Sequence, residues 1–129
     1  MNISGLDHLV LTVGDIKRSI AFYTRVLGME AITFGEGRKA LQFGHQKINL
    51  HRVGAELEPK ARSPIPGAAD ICFLVSGAVE DVLVELEQHG VAVEEGPVRR
   101  TGAQGPINSI YIRDPDGNLI ELAVRQYDY

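Results

Sequence analysis

Apolar residues recur along this chain at two periods. Strict alternation with polar residues marks a strand, and recurrence every three or four positions marks a helix. Residues 8–13, His-Leu-Val-Leu-Thr-Val, show the first period, and residues 16–27 show the second through Ile16, Ile20, Tyr23 and Leu27. Asp15 stands where an N-cap carboxylate accepts from the free amides of a first turn, and Gly28 supplies the left-handed stop. Residues 29–34, 39–43 and 47–53 return to the strand period, with turns at 35–37 and 44–46. The second half repeats the scheme. Residues 70–75 predict a strand, and 78–89 a helix with Val79, Val82, Leu83 and Leu86 on one stripe, Ser76 as candidate cap and Gly90 as stop. Residues 92–98, 109–113 and 118–124 predict three more strands, and Asp114-Pro115-Asp116-Gly117 is a strong turn signal.

The first strands of the two halves begin at 8 and 70 and the helices stop at 28 and 90, so both features recur 62 residues apart. An offset of half the chain indicates a duplicated module of strand, helix and three strands, not a solenoid of several short units. Either half alone buries little surface, so the halves are expected to pack together or against a second chain. The expected organisation is one domain over 1–129, with module 1 over about 1–56, a linker over about 57–67 that carries three prolines, and module 2 over about 68–129.

Composition narrows the class of function. At 44% hydrophobic and 23% charged residues the chain is of ordinary globular make-up. A net charge of -4 with no Lys/Arg block argues against nucleic acid, whose affinity rests on phosphate neutralisation. No apolar run approaches the roughly 18 to 20 residues of a membrane span, so no membrane partner is expected. Residues 1–7 lack the basic region and apolar core of a signal peptide, and the single cysteine, Cys72, has no internal disulfide partner. Both features point to a soluble protein of the reducing cytoplasm.

Strand parity then groups the polar residues, because alternate side chains face opposite sides. His8, Val10 and Thr12 share the face of the first strand away from its helix. Asn49 and His51 do so on the fourth, Asp70 and Cys72 on the fifth, and Leu119, Glu121 and Ala123 on the eighth. If these faces line one concave surface, His8, His51, Asp70 and Glu121 converge, and a cation is the natural partner for a carboxylate there. Each residue also has a plainer reading. His8 is a half-exposed residue at a strand start, His51 a surface histidine near the linker, and Asp70 a turn acid. Glu121, alone among Leu119, Ile120 and Leu122, is either on a solvated face or a functional acid. His45 and His89 read as surface residues, and Cys72 as a small buried apolar residue more often than a nucleophile. Arg99-Arg100 reads as a solvated loop pair ahead of its alternative, an anchor for an anionic substrate group.

Three segments together resemble a known family. They are His8-Leu9-Val10-Leu11, Phe22-Tyr23 before Leu27-Gly28-Met29, and Asp114-Pro115-Asp116-Gly117-Asn118-Leu119-Ile120-Glu121-Leu122. The chain resembles the vicinal oxygen chelate superfamily, which includes glyoxalase I, fosfomycin-resistance thiol transferases, methylmalonyl-CoA epimerase, extradiol dioxygenases and bleomycin-binding proteins. The last segment is the most specific part. The resemblance implies an α+β fold of two βαβββ modules, forming a cup-shaped mixed eight-stranded sheet with the helices on its convex face. It also implies a homodimer with sites shared between subunits. His8 matches the first-strand metal ligand and Glu121 the last-strand ligand, with Glu121 also the candidate catalytic residue. Asp70 falls where many members have a second histidine. Asn49 falls where many have an acid, and His51, two residues on and on the same face, is the alternative ligand on that strand.

A nitrogen and oxygen ligand set without thiolate suits a divalent Ni, Mn, Fe, Co or Zn ion. The resemblance implies a metal-dependent lyase or isomerase that chelates neighbouring oxygens of a small-molecule substrate, with Asn49, Cys72, Tyr111 and Arg100 as candidate substrate-binding residues. The alternatives it leaves open are an extradiol-type dioxygenase and a metal-free ligand-sequestering protein of the bleomycin-resistance kind.

Overall fold

A computed structural model describes residues 1–126 of the chain, and the final three residues lie outside the described part. The chain divides into two compact units, Met1–Ala68 and Ala69–Tyr129. The first contains β1 (His8–Val13), α1 (Ile16–Arg25), β2 (Glu30–Phe34), β3 (Arg38–Phe43) and β4 (Gln46–Arg52). The second contains β5 (Asp70–Leu74), α2 (Val79–Gln88), β6 (Glu95–Gly102), β7 (Gly105–Arg113) and β8 (Leu119–Arg125). Each unit is therefore strand, helix, three strands, as the repeat predicts.

Each unit carries one four-stranded mixed sheet. The orders are β1-β4-β3-β2 and β5-β8-β7-β6, so the first strand of each unit lies parallel beside its last, and the other pairs are antiparallel. In the first unit Leu11, Val13, Leu41, Ile48 and Leu50 are buried along one side of the sheet, and α1 packs against β2, β3 and β4 with its fully buried Tyr23. Asp15 caps α1 as expected, its carboxylate accepting the Arg18 amide at 3.0 Å. The helix ends at Arg25, two residues short of the predicted end, and buries Ser19 on its inner face beside Tyr23.

The second unit buries Ile110, Ile112, Ile120 and Leu122 together with Val82 and Leu86 of α2, which packs on β7. Its helix differs from expectation at the N-terminus. Ala78 occupies the N-cap and makes no side-chain bond, because Gly77, at φ 100°, turns the chain between Ser76 and the helix. Glu80 and Asp81 in the first turn offset this, as acids there complement the helix dipole. The strand predicted at 92–98 forms instead as Glu95–Gly102, so Arg99 and Arg100 are strand residues and not a loop pair. The Asp114 to Gly117 turn is closed from inside: Asp114 Oδ1 accepts the amides of Asp116 and Asn118, each at 2.9 Å, and Oδ2 accepts Asn118 Nδ2 at 2.7 Å. Asn118 in turn accepts the Ala69 amide at 2.8 Å and so ties the start of β5 to the start of β8.

Candidate functional site

Within the first unit, register decides which side chains are neighbours. Val10 pairs with Asn49 and Thr12 with His51 across the parallel β1–β4 ladder, and His8 pairs with Lys47. His8, Asn49 and His51 thus share one side of this sheet, as parity predicts. Their surroundings differ. The His8 ring is 43% exposed, and its Nδ1 lies 2.8 Å from Asp7 Oδ2, which leaves Nε2 for a ligand. Asn49 and His51 are buried, at 4% and 7% exposure. Asn49 Oδ1 and His51 Nε2 are closed from solvent and have no hydrogen-bond partner among the described residues. The surface reading of His51 is therefore wrong. Residues 59–64 follow β4 and, with Val10, Thr12 and His51, enclose a hollow over it.

Glu56, on the same return of chain, adds charge to this environment. Its carboxylate accepts the Gly54 amide at 3.0 Å and pairs with Lys60. Backbone amides, then Lys60 and the nearby His51, hold the carboxyl below the usual carboxylate range. Neither Glu56 nor Lys60 stands out in the sequence, because both lie in a proline-rich stretch without periodicity.

The second unit gathers a different set. Cys72 pairs with Glu121 across β5–β8, and Tyr111 pairs with Glu121 across β7–β8. Glu121 is half-buried, and its Oε2 accepts the hydroxyl of the fully buried Ser109 at 2.6 Å. The Cys72 thiol also hydrogen-bonds Glu121, and partial desolvation of its sulfur against the sheet, together with the adjacent Glu121 charge, pushes the thiol up to about 11. Cys72 is exposed, contrary to its reading as a buried apolar residue. Arg100 donates through Nε to the Tyr111 hydroxyl at 3.1 Å and approaches Glu95 at 3.3 Å. Asp70 is exposed at the start of β5, near Cys72 and Arg113.

Ser109 escapes a reading that looks only for metal-capable residues, although parity with Tyr111 places it on the Glu121 side. His45 and His89 are exposed, as expected. Among the described residues, no three His, Cys, Asp or Glu side chains come together as a metal cluster. Each unit instead contributes polar donors on one side of its sheet: His8, Asn49 and His51 in the first, and Glu121, Ser109 and Cys72 in the second.

The donors fit a divalent ion in kind. A ligating histidine commonly rests its other ring nitrogen on a carboxylate, as His8 rests on Asp7. The buried, unpartnered Nε2 of His51 and Oδ1 of Asn49 lack the partner that closed-off polar atoms nearly always have. Glu121, oriented by Ser109, supplies an anionic oxygen.

Residues 5–122 match the family model of the Glyoxalase/Bleomycin resistance protein/Dioxygenase superfamily. A virulence protein of Salmonella typhimurium, STM3117, is 59% identical over 95% of this chain and 85% of its own length. Its crystal structure superposes with a TM-score of 0.96 over 98% of this chain and 100% of that one. The glyoxalase domain-containing protein RDO1 of Mycosarcoma maydis is 56% identical over 98% of this chain and 71% of its own. A lactoylglutathione lyase of Salmonella typhimurium is 35% identical over 91% of this chain and 90% of its own.

Proposed function

The chain belongs to the Glyoxalase/Bleomycin resistance protein/Dioxygenase superfamily, and on that premise we propose that it is a divalent-metal-dependent enzyme of lyase or isomerase type that handles neighbouring oxygens of a small substrate. The observation that carries this reading is the buried Nε2 of His51, which has no hydrogen-bond partner among the described residues. A polar atom closed off in this way costs about 1–3 kcal/mol, a cost that a bound cation removes. The relative named lactoylglutathione lyase supports the lyase type.

The proposed ligands are His8, His51 and Glu121, with Asn49 and Asp70 as further donors, and the set suits Ni, Mn, Fe, Co or Zn. Such an ion, when bound, supplies Lewis acidity that stabilises negative charge on a substrate oxygen. The remaining work falls to the protein. Glu121 is the proton-transfer group, and the Ser109 hydroxyl grips its Oε2 so that the carboxylate keeps one orientation. Cys72, with its thiol pushed up to about 11, stays protonated at neutral pH and meets a substrate as a neutral contact. Tyr111, whose oxygen accepts from Arg100, retains its own proton to donate to a substrate oxygen.

The test is metal content by plasma mass spectrometry of protein purified without a histidine tag. It compares wild type with His8→Ala, His51→Ala and Glu121→Ala. One divalent ion per chain in wild type, lost in all three variants, supports the reading; no bound ion, even after reloading, refutes it. Asn49 favours a second reading. An amide in place of an acid weakens a metal site, and the same faces then serve as a metal-free binding surface for a small ligand. Superfamily members often act as dimers, and the proposal extends to a cytoplasmic homodimer, which light scattering on the eluted protein tests for oligomeric state.

A further inference from the structure

The second unit holds a hollow of about 390 Å³, large enough for a small ligand. Glu121 and Cys72 line one end and Arg125, with its cross-strand partner Ile107, the other, and Leu74 lies between them. Gly102 and Gly105, on the β6–β7 hairpin, border it without side chains. Leu74 is a large apolar residue left 58% exposed. Arg125 is exposed, and among the described residues it has no ion-pair partner. Two other arginines of this unit are engaged, Arg113 with Glu94 at 2.9 Å and Arg100 with Glu95 at 3.3 Å, and Arg99 does not line the hollow. Arg125 and Glu121 are four residues apart on β8 and point to the same side, which sets their Cα atoms about 13 Å apart.

We propose that this hollow is the substrate-binding pocket and that Arg125 determines its specificity, by anchoring a carboxylate or other oxyanion at the end of the substrate remote from Glu121. A guanidinium with no ion-pair partner among the described residues offers its fork to an oxyanion. The apolar wall of Leu74 and Ile107 receives the stem that joins this anion to the reacting oxygens. The substrate class is thus a small amphipathic acid with neighbouring oxygens at its far end. A neutral diol or a short polyol lacks the group that Arg125 reads. The inference rests on the placement of Glu121 at the reacting end, and it does not require the metal.

A matched pair of probes tests it: 5,6-dihydroxyhexanoate and its neutral counterpart 1,2-hexanediol, titrated calorimetrically into wild type, Arg125→Gln and Arg125→Lys. The metal-loaded and the chelated protein are each examined. Wild type is expected to bind the carboxylate roughly tenfold or more tightly than the diol, the worth of one charge-assisted contact. Arg125→Gln is expected to lose that preference, and Arg125→Lys to keep part of it. Cys72 gives an independent readout, as the chain has no other cysteine. The carboxylate is expected to slow its alkylation at fixed pH in wild type but not in Arg125→Gln. Equal affinity for the two probes, no saturable binding of the carboxylate, or a preference that survives Arg125→Gln overturns the inference. A preference present in chelated protein that never takes up metal separates the two readings: the pocket stands and the metal-dependent activity falls.

Discussion

Asn49 and Glu121 hold the same register position in their two units. Asn49 lies opposite Val10, the third residue of β1, and Glu121 opposite Cys72, the third residue of β5, each across a parallel ladder. The duplicated architecture thus puts a neutral amide in one unit where the other has a carboxylate. This difference in charge is what separates the metal-dependent reading from the metal-free one.

Asn49→Asp restores an acid at that position without changing side-chain length. The new carboxylate is buried where Oδ1 now has no partner, so the metal-free protein is expected to lose about 1–3 kcal/mol of stability. If a divalent ion binds beside it, the loss is recovered on loading. Thermal unfolding of the variant with chelator and with excess metal makes the comparison, and an equal deficit in both conditions counts against a cation near Asn49.

Ser109→Ala removes the hydroxyl that donates to Glu121 Oε2 at 2.6 Å. A hydrogen bond to a charged group contributes about 1.5–3 kcal/mol, so a modest drop in unfolding free energy is expected. The more telling effect is on metal affinity, expected to fall on the order of 10- to 100-fold, as for other loss of outer-shell support. Competition with a chelator dye measures it. Unchanged affinity would leave Ser109 with a structural role only.

Cys72 gives a pH signature. Its thiol is pushed up to about 11, first by partial desolvation and then by the Glu121 charge. Alkylation of the folded, chelated protein is therefore expected to accelerate with a midpoint near that value. Glu121→Gln removes the adjacent negative charge and shifts the midpoint down. The unfolded chain gives up this proton at the ordinary thiol value, about 8.5, while the folded chain still holds it. Stability thus falls as pH rises from the ordinary value to about 11 and levels off above it. Iodoacetamide rates against pH, read by intact mass, give the midpoints; a midpoint at the ordinary thiol value in wild type would refute the contact with Glu121.

Gly96→Ala joins backbone strain to the site. Gly96 has φ +112°, at the irregular start of β6, and a Cβ there would meet the carbonyl oxygen of Ser109 and the Cα of Ile110. Gly117, at φ +86°, opens onto free space. Both substitutions carry the backbone penalty of about 1–3 kcal/mol, and only the first must also displace β7 at the residue that grips Glu121. Denaturant unfolding of the two variants is expected to rank Gly96→Ala well below Gly117→Ala, with metal affinity reduced in Gly96→Ala alone.

The order of elements, the capping of α1 by Asp15, the repeat, and the face on which His8, Asn49, His51, Cys72 and Glu121 each sit were all legible in the chain. They depend on interactions within a few residues: period-two alternation, helical spacing, and turn chemistry such as Asp114 to Gly117. Where local signals are weak, the reading slipped. The β6 segment Glu95-Gly-Pro-Val-Arg-Arg-Thr-Gly102 has no apolar alternation, and it becomes a strand only because β7 pairs with it. Ser76 has a capping side chain, but the turn at Gly77 moves the cap to Ala78.

Burial and partnership were decided by tertiary structure alone. Nothing around His51 in the sequence marks its Nε2 as closed off, since the chain that encloses its surroundings comes from residues 59–64. Cys72 has the composition of a buried residue and the position of an exposed one beside Glu121. Arg125 is one more charged residue at a strand end until a hollow with Glu121 at its far side gives it a use. The sequence by itself determined which residues lie on which side of each sheet, because alternation is a property of the strand. Which of those residues are closed from water, which are oriented by a neighbour and which keep a free charge depends on segments brought together by folding, and the local pattern holds no record of them.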